Sequence, residues 1–213
     1  MVSLDSKKWM GNGSCPEETK MELKELISSH LERSAQVKKL VAESCVSDIQ
    51  RAIDLVVAAF QNGNKLMVCG NGGSAADAQH MAAEFTGRLT KDLNRPGLPA
   101  LALTTDSSFL TAYTNDFGYD GVFARQIEAL GKAGDVLLGI TTSGGSKNVL
   151  AAMEQCEKMG ISVIALTGQA GLRSGKADAV VAVPSDDVQF IQEAHLSIEH
   201  IICAQVEQAL YPL

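Results

Sequence analysis

The chain has 213 residues, 46% of them hydrophobic and 20% charged, which suits one well-filled α/β domain of a soluble protein. Eighteen basic against 25 acidic residues give a formal net charge of −7 without any Lys/Arg cluster, so a nucleic-acid partner is disfavoured. No apolar run approaches the roughly 20 residues of a membrane span. Five cysteines without metal-finger spacing or a preceding secretory signal predict free thiols in a cytoplasmic protein.

The chain is predicted to begin with a tail and two helices. Residues 1–20 are polar and aperiodic and contain Gly11, Gly13 and Pro16, so we predict a mobile N-terminal tail ahead of a single domain over 21–213. Apolar residues then recur at helical spacing in two stretches, MELKELISSHLERSAQVKKLVAES and CVSDIQRAIDLVVAAFQNG.

After these helices, short apolar runs alternate with helical stretches. Strands are predicted at 65–70, 99–105, 135–141, 161–167 and 177–183. Helices are predicted at about 74–88, 119–131, 146–159 and 188–210. Several strands are apolar on both faces, as in a sheet covered by helices on each side. The sequence therefore predicts an α/β fold, namely a three-layer, doubly wound, five-stranded parallel sheet with N-terminal helices and a long C-terminal helix.

Two loops rich in glycine and hydroxyl groups follow the first and third predicted strands. They are Gly70-Asn71-Gly72-Gly73-Ser74 and Thr141-Thr142-Ser143-Gly144-Gly145-Ser146. In such a sheet, ligands bind outside the carboxyl ends of the strands. Glycines let the backbone approach a ligand, while hydroxyls and free helical N–H groups bind an anion without lysine. Either loop alone is explained equally well as a capped turn, but the two together favour a shared phosphate-ester site.

Nucleotide-binding motifs are absent from the sequence. The dinucleotide fingerprint requires a third glycine where Ala75 stands, and an acidic residue about 20 positions further on, whereas Asp106 comes later. The sequence also has no G-x-x-x-x-G-K-[ST] string. NAD and ATP are therefore disfavoured, and no nucleotide cofactor is predicted.

Three of the four histidines lie on two predicted helices. His80 and Glu84 are four residues apart on one helix face, which suits a divalent metal or an acid/base pair, although a surface ion pair explains that spacing better when it is considered alone. On the last helix, Gln192 and His200 are two turns apart and could face one cavity. His195 is a rival candidate, and the spacing does not choose between the two histidines.

Four segments of the chain closely resemble the phosphoheptose isomerases of the sugar isomerase (SIS) domain superfamily. They are CGNGGSAADAQHMAAEFTGR, ALTTDSSFLTAYTNDFGYD, GDVLLGITTSGGSKNVLAA and IQEAHLSIEHIICAQVE, and the likeness runs in register from about Met21 to the C-terminus. The resemblance implies an aldose–ketose isomerase that converts sedoheptulose 7-phosphate to D-glycero-D-manno-heptose 7-phosphate through an enediol. This is the first step of bacterial heptose biosynthesis, toward lipopolysaccharide core or S-layer glycans. The resemblance also implies a homotetramer with sites at subunit interfaces.

The resemblance assigns roles to particular residues. Glu84 is expected to be the base at carbon and His200 its acid/base partner, which favours His200 over His195. One zinc ion per subunit is expected, with the ligands His80, Glu84, Gln192 and His200. Substrate contacts are expected from Asn71, Gly72, Gly73, Ser74, Glu84, Asn115, Asp116, Thr141, Thr142, Ser143, Ser146 and Gln192.

The sequence departs from the family pattern at two places. Thr141-Thr142 stands where relatives often carry Ser-Thr, which keeps the first hydroxyl, and Gln189 stands where some members have Asp. One alternative function is that of the DnaA initiator-associating protein, a binding module of the same superfamily that lacks the acid at Glu84 and the histidine at His200. This chain has both, which favours the enzyme. A sugar-phosphate sensor is the third hypothesis, and it predicts binding without isomerisation.

Overall fold

The computed structural model describes residues 17–212, which form one α/β unit. Its helices are α1 (Glu17–Ser44), α2 (Val46–Gln61), α3 (Gly73–Thr86), α4 (Ser107–Phe117), α5 (Val122–Leu130), α6 (Lys147–Met159) and α7 (Val188–Leu210). Its strands are β1 (Leu66–Cys69), β2 (Ala100–Ala102), β3 (Val136–Thr141), β4 (Ser162–Thr167) and β5 (Ala179–Ala182). Helix α1 begins four residues before the predicted domain start at residue 21. The rest of the predicted tail, residues 1–16, lies outside the described part of the chain.

All five strands are parallel and lie in the order β2-β1-β3-β4-β5, which confirms the predicted doubly wound sheet. Leu66 of β1 pairs with Ala100 of β2 on one side and with Val136 of β3 on the other. The chain therefore moves outward in opposite directions from the boundary between β1 and β3. A ligand crevice forms at such a switch point, and the two glycine-rich loops follow these two strands.

Helices cover both faces of the sheet because alternate strand residues point to opposite sides. Leu66 and Val68 of β1 join a core with residues of α1, α2, α3 and α7. Met67 and Cys69 join a second core formed mainly with α5 and α6. All four residues of β1 are fully buried, which explains the uninterrupted apolar run in the sequence. Among residues 17–212, no helix combines the length and apolar content needed to cross a bilayer.

Helix α4 was not predicted from the sequence. None of its residues is buried, so it has no strong apolar period, and its threonine, tyrosine and asparagine residues are poor helix formers. The Asp106 side chain starts the helix by accepting the Phe109 N–H at 3.0 Å. Two neighbouring predictions were wrong in their bounds. Strand β2 is shorter than the predicted 99–105, and the helix predicted at about 119–131 begins at Val122, after a 3-10 turn at Tyr119–Gly121.

Candidate active site

Helices α3 and α7 lie side by side and run in the same direction, in contact near both ends. At their N-terminal ends, a Cβ atom built on Gly73 would lie 2.6 Å from Nε2 of Gln192, so any larger residue here would displace the Gln192 side chain. At their C-terminal ends, buried Arg95 donates to the Glu84 and Phe85 carbonyls at 2.8 Å each and to Oε1 of Glu207 at 2.6 Å. Arg95 thereby ties the end of α3 to α7.

Between these two contacts, three reactive side chains meet across the helix pair. Nε2 of His80 lies 2.9 Å from Nε2 of His200 and 3.6 Å from Oε1 of Glu84. The ligand atoms of these three residues, here called the His80 group, lie within 4.8 Å of one another. The two imidazoles can share a hydrogen bond only when one of the facing nitrogens carries a proton and the other does not. The structure therefore brings together the pair on α3 and the histidine 120 residues later in the chain.

His195, the rival histidine, lies in the core. Its side chain is fully buried, and its Nε2 donates to the Thr167 carbonyl at 3.0 Å. Burial lowers the pKa of His195 to about 4, so the ring is neutral at pH 7. The ring therefore links α7 to the end of β4 and is separate from His80, Glu84 and His200.

A buried acidic residue that the sequence analysis did not assign stands directly before His200. Glu199 is 1% exposed, and neither of its carboxyl oxygens has a hydrogen-bond partner within residues 17–212. Burial, and then the neighbouring Asp77 carboxyl, raise the pKa of Glu199 to about 9, so it carries a proton at pH 7. Burial also raises the pKa of Asp77, an effect that His80 opposes. No periodicity in the sequence distinguishes this buried glutamate from a surface one.

The loop between β3 and α6 folds its hydroxyl groups around the start of α6. Thr141 Oγ1 lies 3.0 Å from Ser146 Oγ and accepts the Ser146 N–H at 3.4 Å. The Gly145 N–H donates to Ser143 Oγ at 3.3 Å. Gly144 has φ +66°, a left-handed conformation that favours glycine. Three of the predicted phosphate-binding hydroxyls, from Thr141, Ser143 and Ser146, thus share one loop at a helix N-terminus.

The two glycine-rich loops are joined by a pair of asparagines. Asn71 Nδ2 donates to Asn148 Oδ1 at 2.9 Å, and Asn148 Nδ2 donates to Asn71 Oδ1 at 2.8 Å. Tyr119 Oη donates to the same oxygen of Asn71 at 3.0 Å. Asn71 is one of the predicted substrate residues, whereas Asn148 and Tyr119 were not predicted. The only signal for Asn148 was its position two residues after Ser146.

The remaining predicted substrate residues divide into two groups. Ser74 is buried at the start of α3, beside Gly72 and Gly73, and the Thr142 carbonyl accepts the Gly168 N–H at 3.0 Å at the end of β4. Asn115 and Asp116 are exposed on α4, where the Asn115 amide donates to the Asp116 carboxylate at 2.9 Å. In the part of the chain that the structure describes, neither of these two residues hydrogen-bonds to the glycine-rich loops.

Comparison with known proteins places this chain in a family. A model of the SIS domain matches residues 19–168. The phosphoheptose isomerase of Aneurinibacillus thermoaerophilus is 46% identical over 192 residues, 89% of this chain and 96% of the relative. The phosphoheptose isomerase structure from Neisseria gonorrhoeae superposes with a TM-score of 0.80 at 41% identity, over 87% of this chain and 99% of that one. The structure of a phosphoheptose isomerase from Francisella tularensis gives 0.81 at 39% identity, over 86% and 97%.

The family model spans β1 to β4, α3 and both glycine-rich loops, and it ends before β5 and α7. Relatives of this identity and coverage share the family and its enzymatic character. The chain therefore belongs to the phosphoheptose isomerase family of SIS-domain enzymes.

Proposed function

We propose that the protein interconverts sedoheptulose 7-phosphate and D-glycero-D-manno-heptose 7-phosphate. The observation that carries this proposal is the convergence of His80, Glu84 and His200 from α3 and α7. The proposal includes a cytoplasmic role at the first step of bacterial heptose biosynthesis, which supplies lipopolysaccharide core or S-layer glycans.

Aldose–ketose isomerisation moves a proton between C1 and C2 through an enediol. In the proposed reaction the Glu84 carboxylate removes a proton from C1 of the ketose, and the C–H electrons form the C1–C2 double bond. His200 gives a proton to the carbonyl oxygen at C2, so that no oxyanion persists. His200 then takes the proton from the C1 hydroxyl as the aldose carbonyl forms, while Glu84 returns its proton to C2. The two groups end in their starting protonation states.

The phosphate group supplies positioning in this proposal. The hydroxyls of Thr141, Ser143 and Ser146, with the free N–H groups at the start of α6, would hold it without a cationic side chain. Ser74, at the start of α3, would add a further hydroxyl. Fixing the phosphate in this way keeps the reacting carbons next to the base, which replaces a bimolecular encounter by an intramolecular one.

Incubation with sedoheptulose 7-phosphate tests the proposed activity. We expect formation of the aldose 7-phosphate, followed by chromatography or by a coupled assay for the aldehyde. Binding of the ketose without conversion would instead identify a sugar-phosphate sensor, and the absence of both would contradict the proposal.

We further propose that the His80 group holds a zinc ion. Two imidazole nitrogens and a carboxylate oxygen within 4.8 Å of one another form a donor set that zinc prefers. Gln192 is the proposed fourth ligand; within one chain its amide lies beside Gly73, two turns along α7 from His200, so it would reach the zinc from a neighbouring subunit. When bound, zinc acts as a Lewis acid that polarises a carbonyl oxygen.

Metal analysis tests the zinc site directly. Protein purified without chelators is expected to contain about one zinc ion per chain, and the His80→Ala variant is expected to lose most of it. Elemental analysis measures both, and His30→Ala is the control because this histidine pairs with Glu193 on a different part of α7. A metal-free wild-type protein whose activity survives His80→Ala would remove zinc from the proposal.

The protein is also proposed to form a homotetramer with sites at subunit interfaces. Leu23, Leu26, Ile27 and Leu31 in the N-terminal part of α1 are 54–67% exposed and share one side of the helix, as a surface that packs against another chain does. Within one chain, Glu84 lies eleven residues beyond Gly73, or roughly 16 Å along α3. This separation supports a site in which one subunit binds the phosphate and a neighbour supplies the base.

A charged residue on this side of α1 is expected to dissociate the assembly. Leu31→Glu would place a carboxylate in an apolar interface, so we expect a smaller mass by light scattering and loss of most of the activity. Ser29→Glu adds the same charge on a different side of α1 and is expected to leave both unchanged. A Leu31→Glu protein that keeps the wild-type mass would exclude this surface from the interface.

A further inference from the structure

The side-chain amide of Asn71 is almost saturated with hydrogen bonds from within the chain. Its oxygen accepts one bond from Asn148 Nδ2 at 2.8 Å and one from Tyr119 Oη at 3.0 Å, which occupy both lone pairs. Its nitrogen donates one of two hydrogens to Asn148 Oδ1 at 2.9 Å. A single N–H of Asn71 is left for a ligand.

The orientation of this amide is fixed by a chain of contacts that ends in the backbone. Asn148 Oδ1 also accepts the Val149 N–H at 3.0 Å, and the side chain is buried at 3% exposure in the first turn of α6. Turning Asn148 over would place its NH₂ group against the Val149 N–H. Turning Asn71 over would place its NH₂ group against that of Asn148. Both exchanges set donor against donor, so the observed orientation is the stable one.

We infer that Asn148 and Tyr119 are positioning residues that make Asn71 a donor-only contact for the bound sugar phosphate. The inference rests on the proposed function for the identity of the ligand. A donor-only amide recognises an acceptor oxygen, such as a carbonyl or the lone pair of a hydroxyl, and offers nothing to a hydroxyl hydrogen. The same contacts connect the two glycine-rich loops, because Asn71 belongs to one loop and Asn148 follows the other.

The contacts have a specific energetic consequence. Without Asn148, the Asn71 amide can rotate. Ligand binding must then fix its orientation and loses conformational entropy, whereas in the wild-type protein folding has already fixed it. The effect should appear in ligand binding, since the hydroxyls proposed to bind the phosphate and the His80 group remain in place. We therefore expect Asn148→Ala to raise KM and the dissociation constant for sedoheptulose 7-phosphate about three- to tenfold, with kcat nearly unchanged. Tyr119→Phe should act in the same direction and less strongly.

A double-mutant cycle separates positioning from a general structural effect. Asn71→Ala should raise KM by a similar factor. If Asn148 acts through Asn71, then adding Asn148→Ala to Asn71→Ala should change KM by less than about twofold. The inhibition constant of inorganic phosphate should stay at the wild-type value in every variant, since phosphate binds at the hydroxyl loop. Asn62→Ala, at the exposed end of α2, is the control for loss of an asparagine.

Several outcomes would overturn the inference. One is a wild-type KM in both Asn148→Ala and Tyr119→Phe. Another is a rise in KM from Asn148→Ala that is as large in the Asn71→Ala background as in the wild type. The third is a rise in the phosphate inhibition constant of Asn148→Ala that equals its rise in KM. Tyr119 is 49% exposed, so Tyr119→Phe tests the idea even if the buried Asn148 variant does not fold. Calorimetry with sedoheptulose 7-phosphate distinguishes this failure from failure of the proposed function. A chain that binds the ketose without converting it contradicts only the isomerase, whereas a chain that does not bind it contradicts both.

Discussion

Glu84→Gln is expected to lower kcat by about 10²–10⁴-fold, because a glutamine cannot accept the proton from carbon. The substitution keeps the size of the side chain on α3, and the fold and oligomer should persist. The measurement is the steady-state rate with sedoheptulose 7-phosphate, together with circular dichroism and light scattering. Glu154→Gln is the control, because it removes an exposed carboxylate of α6 far from this group.

The Glu84 variant also separates two proposed roles of one carboxylate. If zinc content stays at the wild-type level while turnover is lost, Glu84 acts as the base, whereas parallel loss of zinc indicates a ligand role. His200→Ala is expected to lose turnover to a similar degree, since the proton at oxygen then has no carrier. Full activity in either variant would contradict the proposed mechanism.

Arg95→Met is expected to cost about 3–5 kcal/mol of unfolding free energy, because it leaves Glu207 as an unpaired buried carboxylate. The Arg95 side chain is fully buried, and its bonds to the Glu84 and Phe85 carbonyls also disappear. Urea denaturation at fixed protein concentration measures the loss. The double variant Arg95→Met/Glu207→Met should recover part of it, since no buried charge then remains.

An exposed ion pair supplies the matched control for Arg95. Arg125 and Glu128 lie one turn apart on α5, 2.7 Å from each other and both more than half exposed. Arg125→Met should leave the denaturation midpoint almost unchanged, because exposed pairs contribute little. Equal midpoint shifts for the two arginine variants would show that burial of the Arg95–Glu207 pair has no special importance.

The sheet was predictable from the sequence because its strands are buried on both faces. Short, wholly apolar runs such as those containing Val68 and Leu138 are typical of central strands in a covered parallel sheet, and the glycines after them indicate where the backbone must turn closely. Helix α4 was not predictable in the same way. It buries no side chain, so its only local signal was the capping aspartate at position 106.

The site was only partly predictable because its contacts join distant parts of the chain. Spacing identified His80 and Glu84 as neighbours, but it left His195 and His200 equal, and only the fold shows that His195 faces Thr167 in the core. The partners of Asn71 stand 48 and 77 residues away, and no local pattern links them. Burial of Glu199 was likewise invisible, since it depends on what α3 places against that side of α7.

The contacts between α3 and α7 also restrict how the length of the chain can change in evolution. Gln192 meets Gly73, His200 meets His80, and Glu207 meets the arginine that holds the end of α3. One inserted residue within α7 would turn everything beyond it by about 100° about the helix axis and break every later contact. Insertions and deletions are therefore expected to accumulate in the loops outside the strands, while the spacing from 192 to 207 stays constant.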